Sequence, residues 1–240
     1  MRFQAYAALG DSMSIDRYPD LDHADRQRMA LPATGLGAAS LLARNDDSVW
    51  PDFAGRDLVT RYPGIDCRIL AEDGATTESV IASQLDALET WDPSANTLVT
   101  LTVGGNDLLG LVGASPGDGA DRLRHIVTNL EGIVSAIGDR LGQATLLVAN
   151  VYDPTDGTGD LEGTRLAPRE MKWLADYNAA VARACHARGA ALIDLHRHFA
   201  GHGRGAPPER RWYWTGSLIE PGVTGASEIR RLWLAALDEP

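Results

Sequence analysis

The stretch that decides the fold is Tyr6-Ala7-Ala8-Leu9-Gly10-Asp11-Ser12, a short apolar run that ends in a glycine, an acid and a hydroxyl. Short apolar runs followed by polar turns are typical of buried strands. The segment lacks the longer apolar core and the small-residue cleavage site of a signal peptide. We therefore interpret residues 6–9 as the first strand, and similar apolar runs predict further strands at residues 66–71, 97–103, 144–151 and 190–195.

Stretches with helical periodicity separate these strands. Residues 80–88 and 171–187 have apolar side chains three or four positions apart, and Pro168 and Gly189 frame the second stretch as helix start and end signals. Alternating strands and helices predict an α/β protein with a parallel sheet, formed by residues 1–240 as a single domain. The longest helical stretch places its apolar side chains on one face: Leu123, Ile126, Val127, Leu130, Ile133, Val134, Ile137 and Leu141.

The composition excludes several classes of protein. The 240 residues include 33 acidic and 22 basic side chains, and the net charge of −11 disfavours a nucleic-acid partner. No window has the roughly 18 consecutive apolar residues of a membrane span, so we expect no membrane partner. Cys67 and Cys185 are far apart and do not form a CxxC motif, which predicts a reduced, cytoplasmic protein. The sequence has neither a CxxC nor an HExxH motif, so we expect no metal. We also expect no other cofactor.

Three polar motifs follow the first three predicted strands. They are Gly10-Asp11-Ser12, Gly74-Ala75-Thr76-Thr77 and Gly104-Gly105-Asn106-Asp107. Because the carboxyl ends of parallel strands meet at one edge of a sheet, a serine hydroxyl, a glycine N–H and an asparagine amide would converge there. This is the geometry of an acyl-transfer site in which N–H donors stabilise an oxyanion.

The order and spacing of these motifs resemble the SGNH or GDSL hydrolases, a family of lipases, acyl-esterases, thioesterases and carbohydrate deacetylases. The resemblance implies a flavodoxin-like, three-layer α/β/α sandwich around a parallel sheet of about five strands. It also implies hydrolysis of a small-molecule ester. Ser12 would be the nucleophile, and the Ser12 N–H, the Gly74 N–H and the Asn106 side chain would form the oxyanion hole. We interpret Asp107 as a brace for its turn.

The last motif of the family departs from its usual form. The family normally has Asp-x-x-His-Pro, followed by a glycine that opens the last helix. Here the stretch from Ser217 to Gly225 keeps Pro221 and Gly225, and residues 226–237 have the pattern of an amphipathic helix. Glu220 therefore occupies the position of the histidine, and Ser217 occupies that of the aspartate.

Three interpretations of this departure stay open. In the first, Glu220 is the base. Its ordinary pKa of about 4.3, against about 6.5 for histidine, costs roughly tenfold in proton abstraction, and an apolar setting from Leu218 and Ile219 would raise that pKa. In the second, His202 or His198 supplies the base. In the third, the protein is a non-catalytic or very weakly active member that binds an ester or carbonyl group. A base limb well below pH 6 would favour Glu220, and one near pH 6.5 would favour a histidine.

Residues 13–35, 152–167 and 200–224 lack regular periodicity, and we predict irregular segments there, at the sheet edge that binds ligands. The aspartates of the first segment lack the spacing of a calcium loop and are interpreted as solvated acids. The last segment is rich in side chains that either contact an anionic or sugar-like substrate or pack as a lid: Arg204, Arg210, Arg211, Trp212, Tyr213 and Trp214.

The negative charge is concentrated in the first half of the chain. Residues 1–120 have 18 acids and 8 bases, net −10, whereas residues 121–240 have 15 acids and 14 bases, net −1. The acidic half also holds Ser12, Gly74 and Asn106. Because this half would repel an anion, we expect a neutral ester, or one whose charge meets the arginines at 204–211.

Overall fold

A computed structural model describes residues 2–29, 31, 33–161, 163–217 and 219–238. Its centre is a parallel sheet with the strand order β2-β1-β3-β4-β7. The five strands predicted from the sequence are confirmed with slightly different ends: β1 (Ala5–Gly10), β2 (Asp66–Ile69), β3 (Thr97–Thr102), β4 (Ala144–Ala149) and β7 (Ala191–Ile193). Strands β5 (Asp160–Leu161) and β6 (Thr164–Arg165) form a separate antiparallel hairpin.

Helices connect the strands of the sheet. Between β1 and β2 lie α1 (Arg17–Arg28), α2 (Ala38–Ala43) and α3 (Leu58–Arg61). Residues 77–90 form one helical segment, α4, composed of α-helical Thr77–Ser79, π-helical Val80–Gln84, α-helical Leu85–Ala87 and 3-10 helical Leu88–Thr90. The remaining helices are α5 (Gly105–Leu109), α6 (Pro116–Leu141), α7 (Pro168–Arg188), α8 (Leu195–Phe199) and α9 (Val223–Asp238).

Two apolar cores cover the two faces of the sheet. Val99 of β3 packs in one core with Ile133 of α6, and the adjacent Leu98 packs in the other with Leu41 of α2 and Trp233 of α9. Successive residues of a strand point to opposite faces, so a strand that is buried on both sides is apolar throughout. The predicted three-layer α/β/α arrangement is confirmed.

The prediction of an irregular segment at residues 13–35 is wrong, because α1 occupies its centre. This helix is mostly polar and lacks the apolar face by which helices are recognised in a sequence. Tertiary hydrogen bonds hold it in place. The Asp22 carboxylate accepts a hydrogen bond from the Val223 N–H at 2.8 Å, and the Trp214 indole N–H donates to Asp25 at 2.9 Å.

The other two segments are largely irregular, as predicted. The first, at residues 152–167, contains the β5–β6 hairpin, and the second, at residues 200–224, contains a 3-10 turn at Pro208–Arg210.

Within the described part of the chain, none of the helices is both long enough and apolar enough to cross a membrane. Nor does any cluster of three or more His, Cys, Asp or Glu side chains among these residues have an arrangement that could hold a metal ion. Cys67 is half-buried, Cys185 is buried, and both are free thiols.

Candidate active site

The turn after β1 is shaped by close contact with β3. Gly10 has a φ of +118°, and a Cβ atom at this position would lie 1.6 Å from the carbonyl oxygen of Thr102. Only glycine fits such a conformation and such a close approach. The Asp11 N–H donates a hydrogen bond to the same carbonyl oxygen at 2.9 Å. The chain therefore turns sharply at the edge of the sheet and presents Ser12 there.

Gln84 fixes the other side of this turn, a role that the sequence analysis missed. Its buried side chain accepts a hydrogen bond from the Gly10 N–H at 2.7 Å and donates one to the Gly10 carbonyl oxygen at 2.9 Å. Gln84 lies in the π-helical part of α4, a type of turn that often marks functional sites. The available signal was a polar residue on the apolar face formed by Val80 and Leu88.

Ser12 lies in a cleft of about 780 Å³, a volume that includes solvent at the mouth. Asn106 and Glu220 line the same cleft. Ser12 is 6% exposed and Glu220 is 8% exposed, so both side chains are largely withdrawn from bulk water. The structure thus brings together a hydroxyl, a carboxamide and a carboxyl group that are far apart in the sequence.

Asn106 lies in the first turn of α5, directly after β3. The turn into this helix needs Gly104, whose φ is +105°. A Cβ atom added at this position would lie only 2.2 Å from the ring of Tyr177. The Asn106 amide donates a hydrogen bond to the Ala75 carbonyl oxygen at 2.9 Å. This bond uses one of the two amide hydrogens, and the other is available to a ligand in the cleft.

Gly74 is exposed and is not among the residues that line the cleft. Its φ of +74° belongs to a tight turn that is closed by a hydrogen bond from the Ala75 N–H to the Glu72 carbonyl oxygen at 3.2 Å. Asp107 braces this turn against α5. Its carboxylate accepts hydrogen bonds from the Thr77 N–H at 2.9 Å and the Thr77 hydroxyl at 2.7 Å.

Glu220 reaches the cleft from the irregular segment before α9. The Trp214 N–H donates a hydrogen bond to the Glu220 carbonyl oxygen at 2.9 Å. The Tyr152 hydroxyl donates one to the carbonyl oxygen of the preceding residue, Ile219, at 2.6 Å. The backbone on both sides of the Glu220 side chain is thereby held. Leu218, also expected to flank Glu220, lies outside the described residues.

The environment of Glu220 changes its acidity. Burial raises the pKa of its carboxyl group to about 7, against the opposing effect of a hydrogen bond from the Ser12 hydroxyl. The carboxylate of Asp73 raises this pKa further and Arg17 lowers it. Glu220 Oε2 is buried and has no hydrogen-bond partner among the described residues. Near neutral pH, Glu220 therefore exchanges a proton readily and has one oxygen free.

A second buried acid, Asp11, lines the same cleft and was given no role in the sequence analysis. It is 1% exposed and accepts a hydrogen bond from the Met13 N–H at 3.1 Å. Burial raises the pKa of Asp11 to about 8, and the nearby Glu220 adds to that rise. Acids that share a desolvated site do not ionise together easily. Asp11 is therefore mainly neutral at pH 7, where Glu220 titrates.

The two histidines considered as alternative bases bind other groups. Nδ1 of His202 lies 2.7 Å from the Arg210 carbonyl oxygen, and the His202 ring stacks on Trp212 with a centroid distance of 3.6 Å. Nε2 of His198 lies 2.9 Å from a carboxylate oxygen of Glu228. Among the described residues that line the cleft there is no histidine.

The basic and aromatic segment at residues 210–214 packs on the protein and does not line the cleft. Tyr213 is buried against Tyr152, with ring centroids 5.1 Å apart, and Trp212 contacts Phe199 edge to face at 5.1 Å. These contacts favour the lid interpretation of the segment over direct contact with substrate.

A parallel five-stranded sheet with a serine, a carboxamide and an acid in one cleft at its carboxyl edge is an arrangement found in α/β hydrolases. The sequence model of the GDSL-like Lipase/Acylhydrolase family matches residues 8–215, and the chain belongs to this family. The match ends before Ser217, so the segment that contains Glu220 lies beyond it. No curated protein sequence matches this chain.

Several solved structures share the fold. Axe2, an acetylxylan esterase from Geobacillus stearothermophilus, has a TM-score of 0.63 and 13% identity over 100% of this chain and 96% of its own. LAE5, an alpha/beta hydrolase enzyme from the metagenome of Lake Arreo in Spain, has a TM-score of 0.63 and 16% identity over 98% and 96%. An extracellular lipase from Streptomyces rimosus has a TM-score of 0.54 and 21% identity over 98% and 100%.

Proposed function

We propose that the protein hydrolyses a neutral carboxylic ester through an acyl-serine intermediate on Ser12, with Glu220 as the general base. The observation that carries this proposal is the contact between the Ser12 hydroxyl and the buried Glu220 carboxyl group, in a cleft that also holds Asn106. A pKa of about 7 suits Glu220 to this role, because a general base works best when its pKa is near the operating pH. The names of two structural neighbours, an acetylxylan esterase and a lipase, support an ester as the bond that is cleaved.

In the first step, the Ser12 oxygen attacks the ester carbonyl carbon while the Glu220 carboxylate takes the hydroxyl proton. The electron pair of the carbonyl π bond moves to oxygen and forms an oxyanion. The Ser12 N–H and the free N–H of the Asn106 amide stabilise that negative charge. Preorganised donors of this kind typically contribute about 10²–10³-fold to the rate.

The Gly74 N–H is the third donor in this proposal. The hydrogen bond from Asn106 to the Ala75 carbonyl oxygen supports it, because Ala75 directly follows Gly74 and Asn106 lines the cleft. The Asp107 brace on Thr77 holds the same turn from its other end.

In the second step, the oxyanion collapses, the bond between the carbonyl carbon and the alcohol oxygen breaks, and protonated Glu220 gives its proton to the departing alcohol. Glu220 then takes a proton from the water molecule that attacks the acyl-serine. When the bond between the acyl carbon and the Ser12 oxygen breaks, Glu220 gives this proton to the Ser12 oxygen, and the carboxylic acid is released. With its pKa near 7, Glu220 is both a competent base and a competent acid at neutral pH.

This pKa changes how the base can be recognised. A base limb near pH 6.5 was expected for a histidine, but the pKa of Glu220 is raised to about 7. A pH profile of the wild-type enzyme therefore does not separate the two residue types. Substitution of the candidate base is needed.

Labelling with a fluorophosphonate probe and hydrolysis of p-nitrophenyl butyrate test the nucleophile. Ser12→Ala is expected to lose both, whereas Ser14→Ala is expected to keep both, because the Ser14 hydroxyl bonds Thr102 at 2.9 Å and does not line the cleft. Hydrolysis that survives in Ser12→Ala would refute the proposal. A wild-type protein that binds an ester or a carbonyl compound and neither labels nor hydrolyses would be the non-catalytic member considered above.

Two further parts of the proposal concern the whole chain. The strands of the sheet come from residues 5 to 193, and α9 packs against one face of this sheet. This arrangement supports residues 1–240 as one catalytic domain. The free thiols of Cys67 and Cys185 support a cytoplasmic location.

A further inference from the structure

One arm of the cleft is built almost entirely from apolar side chains. On one side, Leu108, Leu109 and Val112 come from α5 and the turn that follows it. The other contributors are Met171 and Leu174, in the first two turns of α7, and Leu166, two residues before this helix begins. Most of these side chains are half-buried, and Leu109 is 37% exposed. These six side chains line the same cleft as Asn106, and we call them the apolar wall.

The polar groups in this arm already have partners within the protein. The Glu170 carboxylate accepts hydrogen bonds from the backbone N–H groups of Gly113, at 2.8 Å, and Ala167. The hydrogen bond from Gly113 makes the largest contribution to lowering the pKa of Glu170, and that from Ala167 lowers it further. A ligand with hydroxyl groups or charge would therefore find few free partners here, and burying such groups without hydrogen bonds is costly.

Asp153 also lines the cleft, and its carboxylate is engaged in the same way. It accepts hydrogen bonds from the Thr155 N–H at 2.8 Å, the Thr155 hydroxyl at 2.7 Å and the Gly157 N–H at 2.8 Å. None of the described residues that line the cleft is a lysine, an arginine or a histidine, so the arm offers no counter-charge to an anion.

The position of Glu220 indicates which part of an ester occupies the apolar arm. Glu220 must reach the oxygen of the departing alcohol in order to protonate it, so the alcohol lies on the Glu220 side. The charged neighbours of Glu220 are Asp73 and Arg17, an ion pair 2.7 Å apart at the surface. These two groups do not line the cleft, but they make its Glu220 side the more polar surroundings. The alcohol is therefore assigned to that side, and the wall formed by α5 and α7 is left for the acyl part.

We propose that the cleft selects esters with an unbranched hydrocarbon acyl chain over acetyl esters, and that the chain lies between Leu109 and Leu174. This inference rests on the proposed function and adds the substrate class. Each methylene buried in the arm is expected to raise kcat/KM by up to about fourfold. The gain should stop once the chain fills the space between the two helices.

The test is a series of p-nitrophenyl esters from acetyl to decanoyl, with one leaving group throughout. We expect kcat/KM for the hexanoyl ester to exceed that for the acetyl ester by at least about tenfold, since four methylenes are added. Leu109→Asp should lower the hexanoyl value by at least about tenfold and the acetyl value by less, so that the preference for the longer chain is lost. Leu192→Asp is the matched control, because Leu192 is 39% exposed and does not line this cleft.

A second measurement separates this inference from the proposed function. Methyl ketones from 2-butanone to 2-octanone are titrated into the Ser12→Ala variant by calorimetry, where no turnover occurs. Affinity that increases with chain length, and that Leu109→Asp abolishes, supports the acyl site even if esters are not hydrolysed. A flat affinity series, or efficient hydrolysis of acetyl esters with no gain on lengthening, would overturn the acyl site while leaving Ser12 chemistry intact.

Discussion

The side chain of Gln84 forms two hydrogen bonds with the backbone of Gly10, accepting from its N–H at 2.7 Å and donating to its carbonyl oxygen at 2.9 Å. Gly10 comes two residues before Ser12, so the position of the serine depends on a glutamine that lies 74 residues after Gly10 in the sequence. All three residues are buried. Gln84 is therefore a positioning residue for the turn that presents Ser12, the proposed nucleophile.

Gln84→Leu is expected to lower both stability and activity. The substitution leaves a buried N–H and a buried carbonyl oxygen of Gly10 without partners, which should reduce the free energy of unfolding by about 2–4 kcal/mol. Displacement of Ser12 should lower kcat more than it changes KM. Urea denaturation and steady-state kinetics measure the two effects. Ser83→Ala, at an exposed neighbour in the same helix, is the control, and equal behaviour of the two variants would contradict the assignment.

Tyr152→Phe tests whether the hydrogen bond from the Tyr152 hydroxyl to the Ile219 carbonyl oxygen positions Glu220. Loss of this bond should cost about 1 kcal/mol of stability and lower kcat on the order of tenfold at a similar KM. Tyr213→Phe is a matched control, since the Tyr213 ring packs against that of Tyr152 and the buried Tyr213 hydroxyl has no hydrogen-bond partner among the described residues. Its removal should be neutral or slightly stabilising. Unchanged kcat in Tyr152→Phe would remove Tyr152 from the mechanism.

Glu220→Gln is expected to stabilise the protein at high pH while it inactivates the enzyme. Burial raises the pKa of Glu220 from 4.5 to about 7, so the folded state favours the protonated form. The stability that comes from this group is complete below about pH 4.5 and is lost as the pH rises through 7. Glutamine resembles the protonated acid and avoids this loss. The melting temperature of Glu220→Gln should exceed that of the wild type by several degrees at pH 8 and match it at pH 4.5.

Glu228→Gln provides the control of opposite sign. Burial acts to raise the pKa of Glu228, but hydrogen bonds from His198 and Arg231 outweigh it and lower that pKa. A carboxyl group whose pKa is lower in the folded than in the unfolded state stabilises the fold at pH values above the unfolded-state pKa. This contribution is lost as the pH falls through the folded-state pKa. Glu228→Gln should therefore melt below the wild type at pH 8, and the difference should shrink toward acid pH. Thermal melts from pH 4.5 to 8 measure both variants, and the same sign in both would contradict the assigned environments.

The inner strands β1, β3 and β4 could be predicted because burial on both faces favours mostly apolar residues. The edge strands β2 and β7 are more exposed and shorter than predicted. The meeting of Ser12 with Asn106 followed from parallel strands that end at one edge of the sheet. Ser12 follows β1 and Asn106 follows β3, and Gly10 and Gly104 permit the sharp turns that present these two side chains. These turns are local features that the sequence reveals.

Helix α1 and the role of Gln84 could not be predicted, because neither depends on a local pattern. Polar contacts from Asp22 to α9 and from Trp214 to Asp25 hold α1, and the sequence does not reveal such contacts over nearly 200 positions. The pKa of Glu220 likewise depends on how deeply the fold buries it. For that reason the pH at which Glu220 titrates follows from the structure and not from the residue type.

The central claim is that Glu220 activates Ser12, and the rate of Ser12 phosphonylation as a function of pH tests it most directly. In the wild type, and in His202→Ala and His198→Ala, the rate should rise with a midpoint of about pH 7. In Glu220→Gln this limb should disappear and the rate at pH 8 should fall by about 10²–10⁴-fold. A Glu220→Gln variant that keeps the wild-type rate and its pH limb, or a limb that vanishes in a histidine variant instead, would contradict the claim.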